Sequence, residues 1–144
     1  MKDIGSGTGI ENVRKVVEIL EGMYRHRQVK PTVKSEELYY KQMADYNDRI
    51  VRAKEEGKFL VGHTVFAPTE LFFAMDIVPM HLESTSGTIT ILLNQYQQHF
   101  EAARVFGLTP ECCSAHRILA ATFYLKAVPR PDFLVWTSQA CDNT

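Results

Sequence analysis

The sequence predicts an α/β protein in which N-terminal helices precede a small parallel sheet with helices on its faces, a Rossmann-like arrangement. Three observations predict this class. Two long segments with apolar residues at helical spacing come first. Short apolar runs then alternate with helical segments, which is the order that parallel crossovers require. The 144 residues, of which 45% are hydrophobic, suit one domain with a substantial core.

The N-terminal part of the chain, residues 1–34, is predicted to form a tail and one helix. The first residues are polar and rich in glycine, which is typical of a frayed terminus. Apolar side chains then recur at helical spacing from Ile10 to about Arg27, and Pro31 blocks continuation of the helix. Ser35 offers an N-cap for a second helix, which Gly57 ends.

Three short strands are predicted after the second helix, with helices connecting them. Pro68 suits the first turn of a helix, and Pro79 places the second strand at an edge or at a strand start. Gly107 ends a long helix, and the apolar third strand is expected to be buried. The predicted elements are strands at 59–62, 77–82 and 133–136, a loop at 84–87, and helices beginning near Pro68 and spanning 89–106 and 114–127.

Polar side chains follow the ends of these strands. His63 and Thr64 follow the first strand, Glu83 follows the second, and Ser138 and Cys141 follow the third. If the strands are parallel, their carboxyl ends share one rim, where ligands of open α/β sheets bind. Each residue also has a structural interpretation: a histidine that packs or caps, a threonine in a turn, a solvated carboxylate. Three other histidines, His81, His99 and His116, are interpreted as ordinary surface or satisfied side chains.

The cysteines are the residues best suited to metal chemistry. Cys112 and Cys113 lie just before a predicted helix, whose dipole and free N–H groups favour a thiolate. A thiolate binds iron or zinc, but buried cysteines are also common core residues. Cys141 has polar neighbours and does not resemble a core residue. A zinc site built from Cys112, Cys113 and a histidine is a further alternative, although adjacent cysteines rarely chelate one ion well.

Composition excludes several functions. A net charge of −1 gives no basic surface for nucleic acid. No apolar run approaches the roughly 18 residues of a membrane span, and the N-terminus lacks the apolar segment of a secretory signal. Three cysteines without such a signal indicate a reducing compartment. We therefore expect a cytoplasmic protein with neither nucleic acid nor membrane as a partner.

Three stretches taken in order carry a more specific signal. They are residues 57–79 with the motif GKFLVGHT, then Cys113-Ser114 followed by Arg117, and then residues 131–135 leading to Cys141-Asp142. Their order and separation resemble the N-terminal portion of the 2-hydroxyacyl-CoA dehydratase D-component and benzoyl-CoA reductase family. The resemblance extends from about Ser35 to the last residue, so residues 35–144 are expected to form the α/β portion of such a subunit.

The resemblance implies a function that composition alone does not indicate. Members of this family are oxygen-sensitive radical enzymes of anaerobes that act on acyl-CoA thioesters. Two related subunits form a heterodimer, and each holds a [4Fe-4S] cluster through three cysteines. A separate iron–sulfur ATPase activator supplies one low-potential electron at the expense of ATP. In the dehydratases (lyases) a ketyl radical then expels the 2-hydroxyl group, whereas in the reductases (oxidoreductases) an aromatic ring is reduced.

The resemblance also implies roles for individual residues. Cys113 corresponds to the first cluster ligand and Cys141 to the second, with Cys112 as a neighbour. Thr64, with His63 beside it, corresponds to a hydroxyl that faces the cluster, and Glu83 to a carboxylate suited to proton transfer. The third ligand of the family lies downstream of this sequence, so we expect an incomplete lobe of a larger subunit that is inactive by itself.

Two questions stay open from the sequence. The turn at residues 62–66 and the Cys-Asp-Asn motif at residues 141–143 are closer to the reductase-like branch, but dehydration and ring reduction are both compatible with the motifs. The alternative to the radical enzyme is a self-contained small α/β binding module, with structural cysteines and no catalysis.

Overall fold

The computed structural model of the protein describes residues 9–137. Within this range no helix is long and apolar enough to cross a membrane. The elements in chain order are α1 (Gly9–Val29), α2 (Lys34–Glu55), β1 (Leu60–His63), α3 (Thr69–Ala74), β2 (Val78–His81), α4 (Leu82–Leu92), α5 (Tyr96–Val105), α6 (Ser114–Tyr124) and β3 (Phe133–Val135).

The three strands form one parallel sheet in the order β2-β1-β3. Strand β1 is central, and all four of its residues are buried. Strand β2 is an edge strand, as Pro79 predicts. Two helices precede the sheet and the others connect its strands, so the predicted α/β class is confirmed.

Helices α1 and α2 pack against each other, and α2 also contacts β1 and β2 while α1 contacts α4. Their apolar stripes meet at Val16 and Leu20 of α1 and at Ile50 of α2, all of which are buried. The prediction that Ser35 caps α2 is wrong, because the helix begins at Lys34 and extended Val33 occupies the N-cap position. The core cluster comprises Val13, Val16, Leu20, Ala44, Ile50, Val51, Ala53, Leu60, Met80, Leu82, Ile89, Leu119 and Val128.

The region after β2 differs from the prediction in two places. Residues 84–87 are not a loop but belong to the first turns of α4, where the side chain of His81 accepts a hydrogen bond from the Ser84 amide. The predicted helix at 89–106 is two helices, α4 and α5. Asn94 separates them with a left-handed φ of 54°, a conformation that asparagine adopts more readily than most residues.

A residue with a left-handed φ also follows the end of α6. This helix ends at Tyr124, short of the predicted 127, and Lys126 then has a φ of 54°. The glycine predictions are confirmed after α2 and α5, where Gly57 and Gly107 have φ values of 69° and 98°.

The expectation that β3 is buried is wrong. Phe133 is 39% exposed and Leu134 is 49% exposed, and the adjoining Trp136 is 48% exposed. The reason is the position of β3 at the second edge of the sheet, where the described residues pack on it less fully than on β1.

Candidate functional site

The carboxyl ends of the strands bring several polar side chains together at one rim of the sheet. His63 of β1 is aligned with His81 of β2 and with Val135 of β3. Thr64 follows His63 directly, and Glu83 lies in the first turn of α4, two residues after His81. The rim therefore contains the side chains of His63, Thr64, His81 and Glu83, which we call the rim cluster.

His63 is the buried histidine of the rim cluster, with only 3% of its surface exposed. Its Nδ1 lies 2.9 Å from the carbonyl oxygen of Thr64, so Nδ1 carries the proton and donates a hydrogen bond to that oxygen. Burial lowers the pKa of His63, while the Thr64 carbonyl partly opposes this effect. The ring is therefore a neutral imidazole near pH 7, with its lone pair on Nε2.

Thr64 connects β1 to the chain that follows β3. Its Oγ1 lies 3.3 Å from Oγ1 of Thr137 and accepts a 3.4 Å hydrogen bond from the Thr137 amide. The Thr137 hydroxyl donates a 2.9 Å hydrogen bond to the carbonyl of Val65. Thr64 itself is 1% exposed, whereas Thr137 is only partly buried. This connection fixes the direction in which the chain leaves the sheet after β3.

Glu83 places a carboxylate beside the two histidines. Its Oε2 lies 3.4 Å from Nδ1 of His81 and is buried, but it has no hydrogen-bond partner among the described residues. The side chain of Glu83 is 18% exposed. A carboxylate at the N-terminal end of α4 is favoured by the helix dipole, and its unused lone pairs can accept a proton.

His81 is the member of the rim cluster that sequence reasoning missed. Its ring is perpendicular to that of His63, with centroids 5.1 Å apart. Its backbone N–H donates a 2.6 Å hydrogen bond to the hydroxyl of Tyr46, which ties β2 to α2. The signal available in the sequence was the spacing of His81 and Glu83 at a strand end, followed by a helix.

The cysteines lie at the N-terminal end of α6. Cys113 is the N-cap residue, is exposed, and makes no side-chain capping bond. Cys112 is half-buried, and its sulfur lies 3.8 Å from Oγ1 of Thr109. One turn into α6, the guanidinium of Arg117 stacks over Phe100 at 4.6 Å from the ring centroid.

Some predicted contacts between site residues are absent or fall outside the structure. No hydrogen bond or ion pair described for residues 9–137 joins Cys112 or Cys113 to the rim cluster. Within the same range no group of three His, Cys, Asp or Glu residues is arranged to hold a metal ion, so the zinc alternative with Cys112 and Cys113 is not formed there. Ser138 and Cys141 lie outside the described residues.

Comparison with known protein families shows to which family this chain belongs. The family model of the 2-hydroxyglutaryl-CoA dehydratase D-component matches residues 64–144, more than half of the sequence. The chain belongs to this family. Neither the curated proteins nor the solved structures yield a match.

The D-component match covers most of the residues singled out from the sequence. It begins at Thr64 and includes Glu83, Cys112, Cys113 and Cys141. It starts later in the chain than about residue 35, where the sequence resemblance begins. Helices α1 and α2 and strand β1 therefore precede the matched region.

Proposed function

We propose that this chain is the iron–sulfur subunit of an ATP-dependent radical enzyme that acts on acyl-CoA, of the 2-hydroxyacyl-CoA dehydratase or benzoyl-CoA reductase type. The observation that carries the proposal is the D-component match over residues 64–144. The rim cluster at the carboxyl ends of parallel strands supports it, because ligands of α/β sheets bind at that edge.

Cys113 and Cys141 are the proposed ligands of a [4Fe-4S] cluster. Cys113 suits the role because its thiol is exposed and stands at the first turn of α6, where backbone N–H groups lack helical partners. Cys112 is the adjacent alternative ligand. Residues 9–137 supply two thiols, which suit iron in kind but do not form a complete ligand set. When bound, the cluster would supply one electron to the substrate thioester.

The rim cluster supplies the proposed acid–base chemistry. Glu83 suits proton transfer because its buried Oε2 has no hydrogen-bond partner among the described residues. His63 adds a neutral imidazole with its lone pair on Nε2, and Thr64 beside it positions the chain at Thr137 through its hydroxyl. Burial of His63 and Thr64 limits the access of water to these two side chains.

We propose three partners for the subunit. They are the acyl-CoA substrate, a related second subunit, and an iron–sulfur ATPase that acts as activator. A second subunit is in keeping with membership of a family named as one component of an enzyme. The exposed apolar side chains of Phe133, Leu134 and Trp136 along edge strand β3 offer a surface for it.

Cluster binding can be tested by spectroscopy. The protein, expressed with its proposed second subunit, is reconstituted without oxygen using ferrous iron and sulfide, then reduced and examined by electron paramagnetic resonance. We expect a [4Fe-4S]⁺ signal that C113S and C141S abolish, because each removes a ligand. C112S is the matched control and should keep the signal. Absence of a cluster in the unmodified complex contradicts the proposal, and loss of the signal only in C112S assigns the ligand to Cys112.

The reaction can be tested in the same complex. With activator and ATP present, it is offered a 2-hydroxyacyl-CoA and an aromatic acyl-CoA in separate assays. Formation of an enoyl-CoA identifies a dehydratase, and formation of a dienoyl-CoA identifies a reductase. E83Q, which keeps the shape of Glu83 but cannot accept a proton, should lower kcat by about 100-fold or more in either case.

A further inference from the structure

We propose that His81 is a positioning residue for Glu83, acting through one ring nitrogen that either caps α4 or holds the Glu83 carboxylate. The inference rests on the proposed function to the extent that Glu83 moves a substrate proton. The exchange of Nδ1 between these two interactions, which we call the switch, depends only on the geometry of β2 and α4.

Two groups compete for Nδ1 of His81. The amide of Ser84 donates to this nitrogen over 3.1 Å, which requires its lone pair. Oε2 of Glu83 lies 3.4 Å from the same nitrogen, and as an ionised carboxylate it can bond to Nδ1 only if that nitrogen carries a proton. One nitrogen holds either a lone pair or a proton, so the two interactions exclude each other.

The two arrangements differ in the state of Glu83. With Nδ1 unprotonated, His81 caps α4 and the buried Oε2 stays without a hydrogen bond from the described residues, free to accept a proton. With Nδ1 protonated, the imidazolium donates to Oε2 and the Ser84 amide loses its cap. A carboxylate held in that ion pair is a weaker proton acceptor.

The proton balance of the switch is simple. When Glu83 accepts a proton from substrate while His81 is protonated, the pair carries two protons more than neutral His81 with ionised Glu83, and its net charge is +1. The His81 proton can then leave to water, because 30% of its side chain is exposed. Its Nδ1 lone pair returns to the Ser84 amide, and the neutral Glu83 carboxyl group keeps the substrate proton.

Among the groups that surround His81, Glu83 is the one that can bind its Nδ1 when that nitrogen is protonated. From β1 it faces His63, whose Nδ1 proton is engaged by the Thr64 carbonyl. From α2 it faces Tyr46, whose pKa is raised by burial, so its hydroxyl stays neutral. From α4 it faces Glu83 and the Ser84 amide.

The switch can be tested by nuclear magnetic resonance on the protein in complex with its second subunit, or on the chain alone. The Ser84 amide is followed while the pH is lowered. We expect its proton resonance to move upfield together with protonation of the His81 ring, because the hydrogen bond to Nδ1 is lost. H81N is the matched variant: asparagine is a good N-cap acceptor but does not titrate, so its Ser84 amide should stay unchanged. A Ser84 amide that ignores pH in the unmodified protein overturns the proposal.

The consequence for catalysis is read from pH profiles. If an imidazolium restrains Glu83, kcat of the unmodified enzyme falls on acidification partly because His81 is protonated. H81N should therefore keep a larger fraction of its kcat at acidic pH, with KM for acyl-CoA nearly unchanged. Identical pH profiles overturn the positioning role. Failure of the proposed function appears differently, as absence of turnover with every acyl-CoA while the Ser84 response persists.

Discussion

Asp132 and Leu60 are joined by two hydrogen bonds that fasten β3 to β1. The Leu60 amide donates to the Asp132 carboxylate over 2.7 Å, and the Asp132 amide donates to the Leu60 carbonyl over 2.8 Å. Lys54 at the end of α2 adds an ion pair with the same carboxylate at 3.0 Å. One side chain thus links α2, the central strand and an edge strand.

Replacing Asp132 should loosen the third strand. D132A leaves the buried Leu60 amide without its acceptor, so we expect a loss of about 1 kcal/mol in the free energy of unfolding. D132N is the matched control, because its amide oxygen can still accept from Leu60. Urea unfolding at neutral pH measures both variants. Equal stability of D132A and the unmodified chain would show that the contact adds nothing.

The same carboxylate predicts a pH dependence at the acidic end. The hydrogen bond from Leu60, followed by that from Lys54, lowers the pKa of Asp132 from its ordinary value of 3.8. A lowered pKa means that the unfolded chain binds the proton first, so this stabilisation is complete above about pH 4 and is lost as the pH falls. D132N should show a shallower acid loss in urea titrations. If D132N loses stability as steeply as the unmodified protein when the pH falls, other groups cause the acid sensitivity.

Thr64 should control the segment that follows β3. T64V keeps the shape of the side chain but removes the hydroxyl that contacts Thr137. We expect a destabilisation of about 0.5–1 kcal/mol and faster hydrogen exchange at the Thr137 amide. T64S retains the hydroxyl and is the control. If T64V and T64S exchange at the same rate, the hydroxyl does not hold this segment.

The fold was predictable where local rules agree with packing. Apolar periodicity located α1 and α2, and Pro79 correctly indicated an edge strand. The first turns of α4 were missed because residues 84–87 are small and polar, yet Thr85 and Ser86 are buried by tertiary packing. The break at Asn94 was missed because no glycine or proline marks it.

The site was only partly predictable, for a different reason. In a parallel sheet the carboxyl ends of neighbouring strands lie side by side whatever their sequence. The strand order alone therefore places His63, at the end of β1, and Glu83, just after β2, at the same rim. The role proposed for His81 depends on one nitrogen facing both the Ser84 amide and the Glu83 carboxylate, and no sequence pattern encodes these two distances. The burial of β3 was misjudged because an apolar run does not reveal whether a neighbour covers it.

Two glycines of α1 should respond in opposite ways to the same substitution. A Cβ at Gly9 would lie 2.0 Å from the backbone carbonyl carbon of Val128, whereas a Cβ at Gly22 would have no neighbour within 4 Å. G9A should therefore destabilise the protein and disturb the nearby 3.0 Å bond from Asn12 to the Ala127 carbonyl. G22A should stabilise it by roughly 0.5–1 kcal/mol, the helical advantage of alanine over glycine.

The glycine pair is its own control, since both variants add one methyl group to the same helix. Thermal unfolding followed by circular dichroism gives the comparison. If G9A is more stable than the unmodified protein, the backbone at Val128 can move away from α1 without cost, and the prediction for Gly9 is wrong. If G22A is less stable, the added methyl group meets a neighbour that the structure does not show within 4 Å, and the prediction for Gly22 is wrong.

His99 predicts a second pH dependence, in the mildly acidic range. This histidine is fully buried in α5, its Nδ1 donates to the Gln95 carbonyl over 2.8 Å, and its Nε2 has no partner among the described residues. Burial lowers the pKa of His99 from 6.5, so the unfolded chain takes up the proton first as the pH falls. Stability is therefore complete above about pH 6.5 and decreases below it.

H99L should flatten this response. Leucine fills much of the same space, does not titrate, and leaves the Gln95 carbonyl paired with the backbone amide of residue 99 at 3.1 Å. Urea unfolding at about pH 7.5 and about pH 5.5 should show a smaller difference for H99L than for the unmodified protein. H26Q, which replaces an exposed histidine of α1, is the control and should keep the full difference. An undiminished difference in H99L would move the origin of the acid response to His63, whose pKa burial also lowers.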